Sequence, residues 1–191
     1  MSADRSSVLA ASAGSHARAA LRHKPRLKRR SPAPKIEIIV RTPQWRGECE
    51  VKKIVREAIA EAAAAASTTA GELAIVLADD SAIRTLNRDW RGKDAVTNVL
   101  SFPAPAMSGE NEMVTLLGDI VIAYETTARE AAAENKPFGH HLAHLAVHGF
   151  LHLVGYDHKT DQEADAMEQM ETTILARIGV PDPYIFRDAR I

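Results

Sequence analysis

The stretch HLAHLAVHGFLHLVGYDH, residues 141–158, contains five of the eight histidines of the chain. Its apolar residues recur at helical spacing, so it predicts a buried helix that ends where Gly155 adopts a left-handed conformation. His148 and His152 are four residues apart and therefore project from the same face of that helix. Because Gly155 turns the chain back, His158 can approach the pair from outside the helix.

The resulting pattern, H-x-x-x-H-x-x-G-x-x-H, is typical of a catalytic metal site. Three protein ligands leave the fourth tetrahedral position to water, whereas structural sites use four protein ligands. His140 and His144 extend the ladder of histidines upstream and could also bind a metal. Since the helix carries them away from the Gly155 turn, we interpret them as packed or hydrogen-bonding residues.

One position of the pattern indicates the substrate. Metzincin proteases have this zincin-like histidine spacing, but a glutamate follows their first histidine and acts as general base. Here that residue is Gly149, so a peptidase of that mechanism is not expected. A phosphodiester fits better, because its anionic oxygens can bind the metal and its leaving oxygen is expelled more easily than an amine. Asp157 either orients a ligand imidazole or only forms the turn.

The rest of the chain predicts an α+β fold, a small mixed four-stranded sheet packed with about five helices. Apolar and β-branched runs predict strands at residues 35–40, 73–78, 97–102 and 116–123. Helical periodicity and capping residues predict helices at 48–66, after Asp79, at 124–135, at 138–154 and from the capping box at Thr160. The short second helix is expected to carry Ile83, Leu86 and Trp90 on one face. Because strands come first and helices cluster last, the elements favour an α+β domain.

Composition places the chain among cytoplasmic proteins with no membrane partner. With 191 residues and 46% hydrophobic residues it can bury one core. The apolar stretches are too short to span a bilayer, and no signal peptide opens the sequence. Cys49 is the only cysteine, which excludes an internal disulfide and a thiolate metal cluster.

Charge divides the chain into a basic tail, residues 1–34, and a single domain, residues 35–191. Residues 1–35 hold nine lysines and arginines but only Asp4 as an acid. The run RHKPRLKRRSPAPK combines like charges with prolines, so we predict that the tail is disordered. It is either an arm for phosphate backbones, a solvated extension or a transit peptide.

Three motifs together resemble the bacterial YbeY family, single-strand-specific endoribonucleases that act in ribosomal RNA maturation. They are RGKDAVTNVLSFP, LLGDIVI and HGFLHLVGYDH, and they occur in the order found in the family. The resemblance covers roughly residues 72–185, including DPY at 182–184. The basic tail lies outside it.

The resemblance implies that His148, His152 and His158 bind one zinc ion per chain. It also implies that Arg91, the arginine of RGKD, is catalytic, since a guanidinium can hold two phosphate oxygens. Weaker site candidates are Ser101 and Asp119. The nearby cations Arg84, Arg88 and Lys93 would form a basic strip that lets an acidic domain accept RNA.

The function expected from the resemblance is metal-dependent cleavage of single-stranded ribosomal RNA, in small-subunit 3′ end processing and ribosome quality control. Its partners would be that RNA and the ribosomal small subunit or its assembly proteins. The nucleophile is either the metal's water or the ribose 2′-OH, and three histidines would also take nickel, cobalt or copper. Two alternatives remain. One is a non-catalytic assembly factor whose structural zinc recruits His144, and the other is an amide hydrolase with a carboxylate from elsewhere in the fold.

Overall fold

A computed structural model describes residues 33–47, 50–68, 71–105 and 115–185. The predicted tail at 1–34, apart from its last two residues, lies outside the described residues, as do Cys49 and most of the loop before the last strand. The strands are β1 (Lys35–Val40), β2 (Glu72–Ala78), β3 (Val99–Pro103) and β4 (Leu116–Ala123). The helices are α1 (Val51–Ala65), α2 (Asp80–Arg91), α3 (Tyr124–Ala133), α4 (Phe138–Leu153) and α5 (Asp161–Arg177), with a 3-10 helix at Pro43–Gly47.

The predicted mixed four-stranded sheet with five α-helices is confirmed, and its strand order is β1-β2-β4-β3. Strands β1, β2 and β4 are parallel, while β3 pairs antiparallel with β4 at the edge of the sheet. β2 lies inside the sheet, which agrees with its continuous apolar run. Strand β3 therefore leaves one side of its backbone without a neighbouring strand in the described sheet.

The two faces of the sheet carry different layers. Side chains alternate along β4, so Ile120 and Ile122 join the main core with α1, α4 and α5, while Val121 and Ala123 join a smaller cluster under α2. Most of α4 is buried in the main core. A helix that is buried on nearly every side is held rigidly, so the backbone positions of its histidines are fixed as well.

Helix α2 begins as predicted, and its apolar face is covered at the start of the helix but not at the end. Asp79 is the N-cap, and its carboxylate accepts a hydrogen bond from the backbone N–H of Ala82 at 2.8 Å. Ile83 is fully buried, but Trp90 is 73% exposed. The last turn of α2 lies near the edge strand β3, beyond which the described residues place no further layer.

The capping box predicted at the start of α5 is present, with Thr160 and Glu163 each bonding to the backbone N–H of the other. In the described ranges, no helix has the length and apolar character needed to cross a membrane.

Candidate metal centre

The C-terminal end of α4 is shaped by a glycine turn. Gly155 has φ +95°, a conformation that residues with a side chain rarely adopt. The backbone N–H of Gly155 bonds to the carbonyl of His152, and that of Tyr156 bonds to the carbonyl of Leu151. These two bonds form a Schellman motif, which reverses the chain and directs the following residues back along the helix.

This turn brings the three predicted histidines together. One ligand nitrogen from each of His148, His152 and His158 lies within 4.8 Å of the others. His148 and His152 are half-buried on α4, whereas His158 is exposed. The centre is therefore anchored on a rigid helix and accessible from the side of His158.

Hydrogen bonds determine which nitrogen each helical imidazole presents. The Nδ1 of His148 lies 2.8 Å from Glu171 Oε1, and the Nδ1 of His152 lies 3.0 Å from the carbonyl oxygen of Tyr156. Because both oxygens are acceptors, each Nδ1 carries the proton and donates it. The Nε2 atoms are therefore left with lone pairs, and they lie only 3.1 Å apart.

Two nitrogen lone pairs at this separation repel each other unless a cation binds between them. A tetrahedral zinc ion with ordinary Zn–N bonds would place its ligand nitrogens about 3.3 Å apart. Burial lowers the pKa of His152, and the neighbouring His148 lowers it further, against the smaller effect of the hydrogen bond to Tyr156. His152 is consequently biased toward the neutral form that binds metals. The donor set thus fits a divalent metal ion that prefers nitrogen ligands.

Glu171 on α5 is the site residue that sequence reasoning missed. Its side chain is only 1% exposed, and it accepts hydrogen bonds from His148 and from His144 Nε2 at 2.7 Å. The hydroxyl of Tyr184 donates to the same carboxylate. Burial alone would raise the pKa of Glu171, but the hydrogen bonds from His144 and His148 outweigh it and lower the pKa to about 2. Glu171 therefore stays ionised and fixes the tautomer of His148.

His144 is a hydrogen-bonding residue, as its place on the helix predicted. Its Nε2 is taken by Glu171, and its buried Nδ1 has no partner within the described ranges. His144 accordingly presents no nitrogen to the three-histidine cluster, and the described residues bring no fourth histidine, cysteine or acid into that cluster. A structural zinc site with four protein ligands is therefore not favoured.

A cleft of about 180 Å³ opens beside the histidines. Its lining combines the three histidines with residues of the β3 segment and the end of α2, namely Arg91, Thr97, Asn98, Val99 and Ser101. Arg91 is positioned by the turn after α2. Gly92 ends the helix in the left-handed conformation, and the buried amide of Asn87 donates to the carbonyl of Ala95 at 2.8 Å.

The other candidates occupy different places. Ser101 lines the cleft, and its hydroxyl donates to the carbonyl of Gly149 at 3.1 Å. Asp119 is exposed on β4 and is not among the cleft-lining residues. Asp157 accepts a hydrogen bond from the backbone N–H of His158 at 2.9 Å and forms an ion pair with Lys159.

The predicted basic strip is partly neutralised. Arg84 makes two parallel hydrogen bonds to Asp94, at 2.7 and 3.0 Å, and Arg88 pairs with Asp89 at 2.7 Å. By contrast, no acid in the described residues forms an ion pair with Arg91. Arg91 is therefore the arginine of this region with charge available to a ligand in the cleft.

Comparison with known proteins identifies the family. The family model for the endoribonuclease YbeY matches residues 40–179. The chain belongs to the YbeY family. Proteins named endoribonuclease YbeY from Rhodopseudomonas palustris and Nitrobacter hamburgensis are 56% and 54% identical to it, over 81% and 79% of this chain and 92% and 82% of theirs. A relative of the same name from a Bradyrhizobium species is 51% identical over 83% of this chain and 96% of its own.

The fold is also shared with a solved protein. A solution structure from Thermotoga maritima superimposes with a TM-score of 0.50 at 22% identity, covering 81% of this chain and 91% of that one. At this identity the likeness concerns the fold alone.

Packing explains why this member of the YbeY family has no acid after its first histidine. A Cβ added to Gly149 would lie 2.9 Å from Ile120 Cγ2 and 3.2 Å from Ser101 Oγ. The α4 backbone thus lies directly against the sheet at this point, and a glutamate has no room. The close contact between α4 and the sheet therefore excludes the glutamate that metzincin proteases have at this position.

Substituting Gly149 with alanine is expected to destabilise the protein by about 1–2 kcal/mol, because overpacking a close backbone contact outweighs the gain in helix propensity. Urea unfolding measures this change. A rise in stability of about 1 kcal/mol, which is what helix propensity alone would give, would contradict the packing account.

Substituting Glu171 with glutamine is expected to lower metal affinity about 10- to 100-fold, the usual effect of removing an outer partner of a ligand histidine. A glutamine has one carbonyl oxygen, so it cannot accept from His144 and His148 as two carboxylate oxygens do. Competition with a chelator of known affinity measures the loss. Asp165→Asn, on the exposed side of α5, is the matched control and should leave affinity unchanged. Equal affinities in a folded Glu171→Gln protein would rule out this role.

Proposed function

We propose that this chain is a zinc-dependent endoribonuclease that cleaves single-stranded RNA during ribosomal RNA maturation. Its membership of the YbeY family carries the endoribonuclease activity. The observation that most directly supports the metal-dependent mechanism is the convergence of three imidazole nitrogens in a cleft that also contains Arg91.

In this proposal His148, His152 and His158 hold the metal. When bound, zinc supplies a Lewis acid for a phosphate oxygen and lowers the pKa of water. Glu171 and the carbonyl of Tyr156 keep both helical imidazoles in the tautomer that offers Nε2. Exposed His158 leaves the centre accessible from the cleft.

Arg91 is proposed to bind the phosphate. Arg91 lines the same cleft as the histidines, and a guanidinium can donate two parallel hydrogen bonds to phosphate oxygens. A fixed positive charge at this place would stabilise the negative charge that grows on the phosphate oxygens as the bond to the attacking oxygen forms.

The composition of the cleft favours a phosphodiester over an amide. None of the described residues that line it is an aspartate or a glutamate. Amide hydrolysis needs a group that protonates the leaving amine, and in metzincin proteases a glutamate beside the metal supplies it. The leaving group of a phosphodiester is an alkoxide, whose developing charge Arg91 could stabilise, as could a metal held by the three histidines.

A single-stranded substrate suits a cleft of this small size, because an unpaired strand can bend one phosphate into it whereas a duplex holds its phosphates on a regular surface. We further propose that this RNA is ribosomal, with cleavage in small-subunit 3′ end processing and ribosome quality control. The partners would then be the small subunit or its assembly proteins, in the cytoplasm. Similarity of the motifs to the YbeY family supports this assignment.

Cleavage of a ribosomal RNA fragment by rigorously repurified protein tests the proposal. The fragment is offered single-stranded or annealed to its complement, with metal-loaded and chelator-treated protein. We expect cleavage of the single strand only, its loss on chelation and its return with zinc. Binding without cleavage under all conditions would favour a non-catalytic assembly factor instead.

A further inference from the structure

Trp90 is highly exposed although it lies on the same face of α2 as buried Ile83. At 73% it is the most exposed large apolar side chain in the described residues. The second tryptophan, Trp45, is 2% exposed and donates its indole N–H to the carbonyl of Ala78 at 2.7 Å. Trp45 thus stabilises the core in the usual way, whereas the indole of Trp90 contributes little buried area.

The position of Trp90 links it to the cleft. It directly precedes Arg91, and its ring contacts Phe102, with ring centroids 6.1 Å apart at 68°. Phe102 directly follows Ser101, and both Arg91 and Ser101 line the cleft. The indole therefore packs on Phe102, on the face of β3 opposite to Ser101, while most of its surface faces solvent. The peptide bond to Arg91 keeps it close to the cleft.

The surroundings of Trp90 suit a nucleic acid. Arg91 and Lys93, which follow it in the sequence, are exposed cations without an ion pair in the described residues, whereas Arg88 pairs with Asp89. Aromatic side chains in a basic setting are the recurrent means of binding single-stranded nucleic acids, because every base offers a face for stacking. In a duplex the bases stack on one another and cannot lie on an indole.

We propose that Trp90 is a stacking platform for an unpaired nucleobase of the RNA, next to the phosphate that the cleft binds. This inference rests on the proposed function and names how that site recognises its substrate. Stacking on Trp90 selects for unpaired strands and tolerates different base sequences.

A double-mutant cycle tests the stacking contact. Affinity of the full-length, metal-loaded protein for a short single-stranded RNA is measured by fluorescence anisotropy, at times short relative to cleavage. Trp90→Ala is expected to weaken binding about 5- to 150-fold, the range expected for loss of one stacked base. An abasic nucleotide is then placed at each position in turn. At one nucleotide position, the abasic substitution should weaken RNA binding to the wild-type protein but not to Trp90→Ala.

Two controls identify the cause of a loss. Trp90→Phe keeps an aromatic face and should retain most of the affinity, while Leu116→Ala removes an exposed apolar side chain at the far end of β4 and should change nothing. Unchanged RNA affinity in Trp90→Ala, or additive losses at every abasic position, would overturn the platform. Failure of the wild type to bind RNA at all would instead overturn the proposed function, so the two failures are distinguishable.

Intrinsic fluorescence supplies an independent readout. Because the chain has two tryptophans and only Trp90 is exposed, quenching by added RNA reports on Trp90. We expect quenching in the wild type and none in Trp90→Ala, whose remaining emission comes from Trp45. Equal quenching in both proteins would contradict a base on the indole.

Discussion

Replacing His148 and His152 together with alanine is expected to remove metal binding and to abolish RNA cleavage. Their Nε2 atoms lie 3.1 Å apart and offer the lone pairs of the centre, so the double variant keeps one ligand of three. Loss of a single outer partner of a metal ligand already costs 10- to 100-fold in affinity, and the loss of two ligands is expected to cost more than about 100-fold. Metal content per chain and cleavage rate are measured on the same preparation.

Two further variants separate metal loss from unfolding. His148→Ala leaves buried Glu171 with one hydrogen-bond partner fewer, which costs about 1–3 kcal/mol of stability. His158→Ala removes the exposed third ligand without touching Glu171, so it should lose metal and activity at nearly wild-type stability. His140→Ala, on the same helix but outside the cluster, should retain both. Full cleavage by a folded double variant without bound metal would contradict the metal centre.

Replacing Arg91 with glutamate is expected to lower the cleavage rate about 10²- to 10³-fold, which is the usual effect when an enzyme loses one hydrogen-bond donor to a developing oxyanion. The metal content of the variant should stay at the wild-type level. The new carboxylate would also repel the phosphate. Arg91 is exposed at the end of α2, so the change should not affect folding. Cleavage kinetics, metal analysis and thermal unfolding together measure these effects.

Arg88→Glu is the matched control, because Arg88 lies on the same helix, is exposed and pairs with Asp89 rather than lining the cleft. It should weaken RNA binding slightly through the lost charge and leave the cleavage step unchanged. Arg91→Lys should recover only part of the rate, since an ammonium cannot make the two parallel hydrogen bonds of a guanidinium. Equal losses of cleavage rate in Arg88→Glu and Arg91→Glu would show that Arg91 acts only through its general positive charge and not as a specific phosphate ligand.

Local signals allowed the fold to be predicted where they were strong. The strands at 35–40 and 116–123 have the predicted bounds, since both are rich in apolar and β-branched residues. The capping box at Thr160 also formed as predicted, because both of its hydrogen bonds lie within one turn. The 3-10 helix at Pro43–Gly47 was not predicted, since so short an element has no periodicity.

Tertiary contacts explain what the sequence could not predict. Glu171 meets His148 across the packing of α5 against α4, 23 positions away in the chain. Its one local signal is a carboxylate among the apolar positions of a helix face, between Met167 and Ile174. Trp90 has the spacing of the face that carries buried Ile83, but this spacing does not show whether another layer covers the end of α2.

Ion pairing of the arginines is a second feature that the sequence could not predict. Arg84 and Arg88 were expected to offer a basic strip, but Asp94 and Asp89 pair with them. A count of cations along a helix cannot show which of them are neutralised by acids in the following turn.

Titration of metal-stripped protein with zinc, with bound metal and single-stranded RNA cleavage measured at each addition, tests the central claim most directly. The account predicts that cleavage rises in proportion to bound zinc and saturates at one ion per chain, while His158→Ala stays inactive throughout. Cleavage that is already complete in the stripped protein, or that stays absent when one zinc ion is bound, would contradict it.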